Sequence, residues 1–136
     1  MKQMTSERFS MTAAGVIGFL GVALGAFGAH GLRAMMSTLP DGEQRLAWWE
    51  TASRYQLIHA LALGLAAWMA TRVQGRAPKA ASIAFIVGTL LFSGSLYTMT
   101  LTGIRVLGAV TPFGGVAFLV GWASLTYAAA RSPSRD

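Results

Sequence analysis

The chain has no cysteine, which excludes a disulfide framework, a thiolate metal site and a cysteine nucleophile. Charge is scarce as well: 12% of the residues are charged, against about a quarter in soluble domains. The five acids are Glu7, Asp41, Glu43, Glu50 and Asp136, and none falls inside a long apolar run. No glycine-rich phosphate loop, serine elbow or metal-spaced His/Asp/Glu set occurs. His30 and His59 are the only histidines, one or two ligands short of a usual catalytic zinc site. The expectation is therefore no metal, no cofactor and no enzymatic activity.

What the chain has in quantity is apolar side chains and glycine. Hydrophobic residues make up 54% and the mean hydropathy is +0.51, which is membrane composition. Sixteen glycines sit mostly within apolar runs, where bilayer helices use them for close packing. The formal charge of +6 and pI near 10.9 do not point to nucleic acid. The basic residues flank apolar segments instead of clustering with aromatics, so they read as topology signals.

Four segments are long enough to span a bilayer, at residues 9–29, 55–71, 81–102 and 112–130. The expected fold is all-α: one four-helix transmembrane domain over residues 1–136, with a short interfacial helix before the second span. The first apolar run is long for a signal peptide and ends without a clean small-x-small site, which favours a retained helix. Within it Gly15, Gly18, Gly21, Gly25 and Gly28 recur at spacings of three and four, a ridge that lets another helix approach closely. Pro40-Asp-Gly42 signals a turn, with Asp41 placed to cap the next helix. Trp48 and Trp49 suit the headgroup region, and Glu50 and Arg54 have the spacing of a helical ion pair.

On the second span Tyr55, Gln56 and His59 are read as sharing one side, which should face protein. An intramembrane histidine suggests function, but a neutral imidazole bonded between helices is favoured over proton chemistry. The third span carries Phe92-Ser-Gly-Ser-Leu-Tyr-Thr-Met-Thr100, whose hydroxyls can bond carbonyls or neighbouring helices. Thr111-Pro112 fits a helix start better than a kink. Gly114, Gly115 and Gly121 then form a second small-residue face beside Trp122.

Four spans place both termini and the basic loop on one side. Lys2, Arg8, Arg72, Arg76, Lys79, Arg131 and Arg135 lie there, seven residues against four (Arg33, Arg45, Arg54 and Arg105) on the other. The bias puts the termini in the cytoplasm. His30, Tyr55, Gln56, His59, Tyr97, Thr100 and Thr111 then gather in the outer half, as they would around an outward-facing polar pocket.

Gly25-Ala-Phe-Gly-Ala-His-Gly-Leu32, Tyr55-Gln56 with His59-Ala-Leu-Ala-Leu63, Phe92-Ser-Gly-Ser-Leu-Tyr97 and Thr111-Pro-Phe-Gly-Gly115 with Gly121-Trp122 resemble the YgdD/YwdK-like family. The resemblance covers nearly the whole chain. It implies a small integral protein of the bacterial inner membrane, with animal relatives, and four membrane helices; it supplies no activity or catalytic residues. Two functions follow as expectations. One is an accessory protein packing through Gly18, Gly21, Gly25, Gly28, Gly114, Gly115 and Gly121 against another membrane protein or copies of itself, in contact with membrane lipid. The other is an oligomeric protein conducting small solutes or protons, or binding a ligand, through a pocket around His30 and His59.

Overall fold

A chain this apolar satisfies its backbone N–H and C=O groups without water by forming helices, and a computed structural model, which describes residues 2–131, contains helices and turns with no strand among them. Arg135 and Asp136 lie outside the described residues.

Helix α1 runs from Lys2–Phe27, continues through one π-helical stretch at Gly28–Leu32, and ends in a short α2 at Arg33–Met36. A tight turn through Pro40 leads into α3, Gly42–Ala70; α4 is Ala77–Thr102, and a 3-10 turn at Arg105–Ala109 precedes α5, Thr111–Ala130. Proline in the first turn opens both α4 and α5, where its missing N–H costs nothing. Gly103, at φ +74°, closes α4, its N–H bonding to the Met99 carbonyl at 2.8 Å. Such a left-handed cap favours glycine.

Three details of the sequence reading are corrected. No separate interfacial helix precedes the second span, because Trp48 and Trp49 lie in the early turns of α3 itself. The polar stretch that begins at Glu43 runs into the apolar one with no proline between them, so a single helix continues from Gly42 to Ala70. Asp41 makes no side-chain cap; its carboxylate accepts from Arg45 Nε at 2.9 Å instead. Glu50 likewise pairs with Arg33 across the turn at 3.4 Å, not with Arg54.

Each long helix packs on its neighbours in the chain: α1 on α3, α3 on α4 and α4 on α5, while α1 and α5 do not meet. The result is an open row in which α3 and α4 are inside and α1 and α5 outside. Small residues build its core, with Ala14, Ala62, Ala66, Ala81 and Ala128 around Leu63, Phe85 and Phe118. Three segments, Ser6–Met36, Ala77–Thr102 and Arg105–Ala130, are long and apolar enough to cross a membrane. Their exposed Phe9, Phe19, Leu90, Phe113 and Leu119 suit lipid contact. α3 is as long but more polar, because Arg45, Glu50, Arg54, Gln56 and His59 lie along it.

Candidate functional site

Helix α3 lies between α1 and α4, so side chains on its different sides meet different partners. Trp49, Ser53 and Gln56, spaced four and three, form one stripe. The Trp49 indole N–H donates to the Leu24 carbonyl at 2.7 Å, the Ser53 hydroxyl to the Gly21 carbonyl at 3.3 Å, and the Gln56 amide to the Ile17 carbonyl at 2.9 Å. The acceptors descend α1 as the donors ascend α3, as antiparallel helices require. Glycine makes this possible. A Cβ on Gly21 would lie 2.9 Å from Leu57 Cδ2, on Gly25 2.8 Å from Ser53 Oγ, and on Gly28 2.5 Å from Trp49 Cδ1, while Gly18 faces Ala60 in ordinary contact. The Gln56 carbonyl oxygen also accepts from the Tyr97 hydroxyl of α4 at 2.9 Å, so one amide joins three helices.

The other side of α3 carries Tyr55 and His59. The imidazole stacks on Phe118 of α5 with centroids 3.5 Å apart and planes within 7°. His59 Nδ1 lies 2.7 Å from the Tyr55 carbonyl, and Nε2 lies 3.2 Å from the Trp122 indole nitrogen. A carbonyl only accepts and an indole N–H only donates, so these partners define a neutral ring with its proton on Nδ1. Around this contact Tyr55, Phe92, Pro112, Gly115, Leu119 and Trp122 line an open groove of about 580 Å³ between α3 and α5. Tyr55 is 40% exposed, and its hydroxyl has no partner among the described residues.

Two further polar contacts tie α4 to its neighbours. Ser93 donates to the Ala52 carbonyl of α3 at 2.8 Å, and the hydroxyls of Ser95 and Thr111 meet at 2.8 Å, which holds the start of α5 on α4. At the Asp41 end, the Thr100 hydroxyl donates to the Arg45 carbonyl at 3.0 Å and Arg45 returns a bond to the Thr100 carbonyl at 3.2 Å. This places a guanidinium at the negative end of the α4 dipole. Asp41 holds Arg45 and, at 3.5 Å, Arg105. The Arg45 hydrogen bond, with help from Arg105, keeps the Asp41 carboxyl below the usual carboxylate range.

The polar pocket read from the sequence is therefore corrected: its residues occupy separate places. Gln56 and Tyr97 face the α1 side, Tyr55 and His59 face α5, Thr100 is sealed against Arg45, Thr111 bonds Ser95, and His30 is exposed on the π-helical stretch. Tyr55, Gln56 and His59 do not share one side, because adjacent positions on a helix are turned by about 100°. Gly114 and Gly121 face Phe92 and Phe85 of α4, whereas nothing lies within 4 Å of a Cβ built on Gly115. Gly115 is no part of the packed seam; it opens onto the groove. Ser53, Phe118 and the Trp122–His59 bond were missed in the sequence. Ser53, midway in the stripe from Trp49 to Gln56, carried a signal in its spacing; Phe118 carried none beyond being apolar.

A family model described as "Protein of unknown function (DUF423)" matches residues 24–115. The UPF0382 inner membrane protein YgdD of Escherichia coli K12 is 45% identical over 129 residues, covering 94% of this chain and 93% of its own length. The UPF0382 membrane protein YwdK of Bacillus subtilis 168 is 42% identical over 113 residues, 82% of this chain and 88% of that one. A UPF0382 membrane protein of Haemophilus influenzae is 37% identical over 124 residues, 91% of this chain and 95% of its own. The chain belongs to the DUF423 family. Like these relatives, this DUF423 protein is a small integral membrane protein. No solved structure matches it. The DUF423 match takes in the π-helical stretch, all of α3 and α4, and the start of α5, and so contains the α3 side of both interfaces.

Proposed function

We propose that this protein is a four-span accessory protein of the bacterial inner membrane, with cytoplasmic termini, that works by lateral packing and not by catalysis. Its partner is a transmembrane helix of another membrane protein, seated in the groove between α3 and α5. The observation that carries this reading is the combination, in one groove, of an unpartnered Tyr55 hydroxyl and the open Cβ position of Gly115. A hydroxyl turned toward hydrocarbon seeks a hydrogen-bonding partner, and a bare glycine lets a helix backbone approach closely.

Other features support the rest. α3 lies between α1 and α4 and antiparallel to α1 over most of its length; if its neighbours cross the bilayer, so does α3, and its 29 residues rise about 43 Å. Its polar side chains are tolerated because Trp49, Ser53, Gln56 and His59 bond to other groups of the protein. The seven-to-four basic bias supports cytoplasmic termini, and the relatives' names support the inner membrane. The glycine seam of α1, in contrast, is filled by the chain's own α3, so the accessory role rests on the groove. The conducting alternative loses its geometry, since His30 and His59 do not share a pocket.

The natural lack of cysteine makes the test clean. With a maleimide photo-crosslinker on Leu119→Cys in the groove, irradiated native membranes should yield one heterologous adduct of defined mass, and the same probe on Phe19→Cys of α1 should not. An adduct of twice the chain's mass would replace the partner by a second copy; lipid adducts alone would overturn the reading. Single cysteines at Ser37 and Gln74 test topology, with only the first expected to react with an impermeant maleimide from the periplasm.

A further inference from the structure

At the end opposite Asp41, the start of α1, the last turn of α3 and the first turns of α4 surround a recess of about 500 Å³ lined by Glu7, Ser10, Gln74, Arg76, Lys79 and Ser82. Its charges are unmatched. Among the described residues Glu7, Arg76 and Lys79 form no ion pair within 4 Å. Arg76 and Lys79 stand at the N-terminus of α4, which has no acidic residue in its first turn and no side-chain cap. Cations at that position add to the positive end of the helix dipole instead of offsetting it, so the fold holds two like charges beside the unbonded N–H groups of Ala77 and Lys79, Pro78 having none and Ala80 donating to the Arg76 carbonyl. The second observation is independent. Ser10 is only 6% exposed and lines the recess, and its hydroxyl has no partner among the described residues while its oxygen stays accessible.

We propose that this recess binds the phosphoethanolamine headgroup of a bilayer phospholipid. The phosphate meets the Arg76 and Lys79 side chains and the two free N–H groups at the start of α4, those of Ala77 and Lys79, which together form an anion site. The ammonium meets Glu7 and the Ser10 hydroxyl, both acceptors for its N–H donors. A choline headgroup has no N–H to give them, and a phosphatidylglycerol headgroup brings no cation to Glu7. The site therefore discriminates among lipids by the headgroup's own charge pattern. Its placement needs α1 and α4 to cross the bilayer and does not depend on the partner helix of the α3–α5 groove.

The test is native mass spectrometry of the purified full chain in detergent, titrated separately with dioleoyl phosphatidylethanolamine, phosphatidylcholine and phosphatidylglycerol. The expected result is a single retained phosphatidylethanolamine, several-fold above the other two. Arg76→Gln with Lys79→Gln should lower that binding roughly tenfold or more. Glu7→Gln should remove the preference over phosphatidylcholine and raise phosphatidylglycerol, and Ser10→Ala should weaken phosphatidylethanolamine by a few-fold with no change in thermal stability. Equal retention of all three lipids, phosphatidylglycerol binding best in the natural chain, or selectivity untouched by Glu7→Gln would each overturn the proposal. So would displacement of the lipid by millimolar inorganic phosphate, which would mark a site for the free ion. If the double variant does not fold, Glu7→Gln and Ser10→Ala decide it alone, as neither side chain holds another part of the protein.

Discussion

Toward α1, helix α3 presents Trp49, Ser53 and Gln56 to a ridge of glycines, and each polar group ends on a backbone carbonyl. Toward α5, the same helix presents Tyr55 and His59 to Phe118, Trp122 and an open groove. The first interface is close because its small residues remove the bulk between backbones. The second is held apart by stacked rings, with one hydrogen bond between side chains and a hydroxyl left over. In lipid there is no hydrophobic drive between helices, so stability comes from close packing and internal hydrogen bonds. The first face is therefore the scaffold, and the second leaves a groove open.

The sharpest way to break this contrast is a bulky residue in the seam. Gly28→Leu drives a side chain into the Trp49 indole and should cost about 2–3 kcal/mol, seen as loss of the folded form during titration with a denaturing detergent. Gln56→Leu, which removes the bonds to Ile17 and Tyr97, should cost roughly 1–2 kcal/mol in the same assay, since single interhelical bonds average about 0.6 kcal/mol. On the groove side the effects shrink. Trp122→Phe keeps an aromatic ring and loses only the bond to His59, so about 0.6 kcal/mol is expected. Gly115→Ala meets no atom within 4 Å; it should leave stability unchanged or raise it by a few tenths of a kcal/mol, through helix propensity, while weakening crosslinking from position 119. If Gly115→Ala destabilises as much as Gly28→Leu, the two faces do not differ as described.

The smallest effect lies outside both faces. The Asp41 carboxyl is held below its ordinary value by its Arg45 and Arg105 partners. A depressed carboxyl contributes stability above its unfolded value that disappears as pH falls through the folded value. The difference in melting temperature between the natural chain and Asp41→Asn should therefore be constant from neutral pH down to about pH 5, begin to shrink as pH falls below about 4, and vanish only below the depressed folded value. A difference that grows on acidification would contradict the assigned ion pairs.

Much of the fold was legible. The apolar runs around Ala81 and Phe118 and the Thr111-Pro112 start belong to helices in the structure, and the glycine spacing from Gly18 to Gly28 does describe one face. The polar residues were harder to place. Tyr55 and Gln56 are adjacent in sequence, yet one opens on a groove and the other links α1 to α4. Nothing local to Gln56 says which neighbour will stand beside it. Arg45 and Thr100, fifty-five positions apart, meet only because α3 and α4 are antiparallel and adjacent.

The sequence by itself determined that this is a membrane protein made of helices, because hydropathy and small-residue spacing are properties of single segments and need no neighbour to be read. Only the tertiary structure decided that the helices stand in an open row, that the α1 seam is closed by α3, and that Gly115 and Tyr55 are left facing outward. Those outcomes depend on which helix lies against which, a choice made by the fit between distant side chains and carbonyls, and one that no single segment encodes.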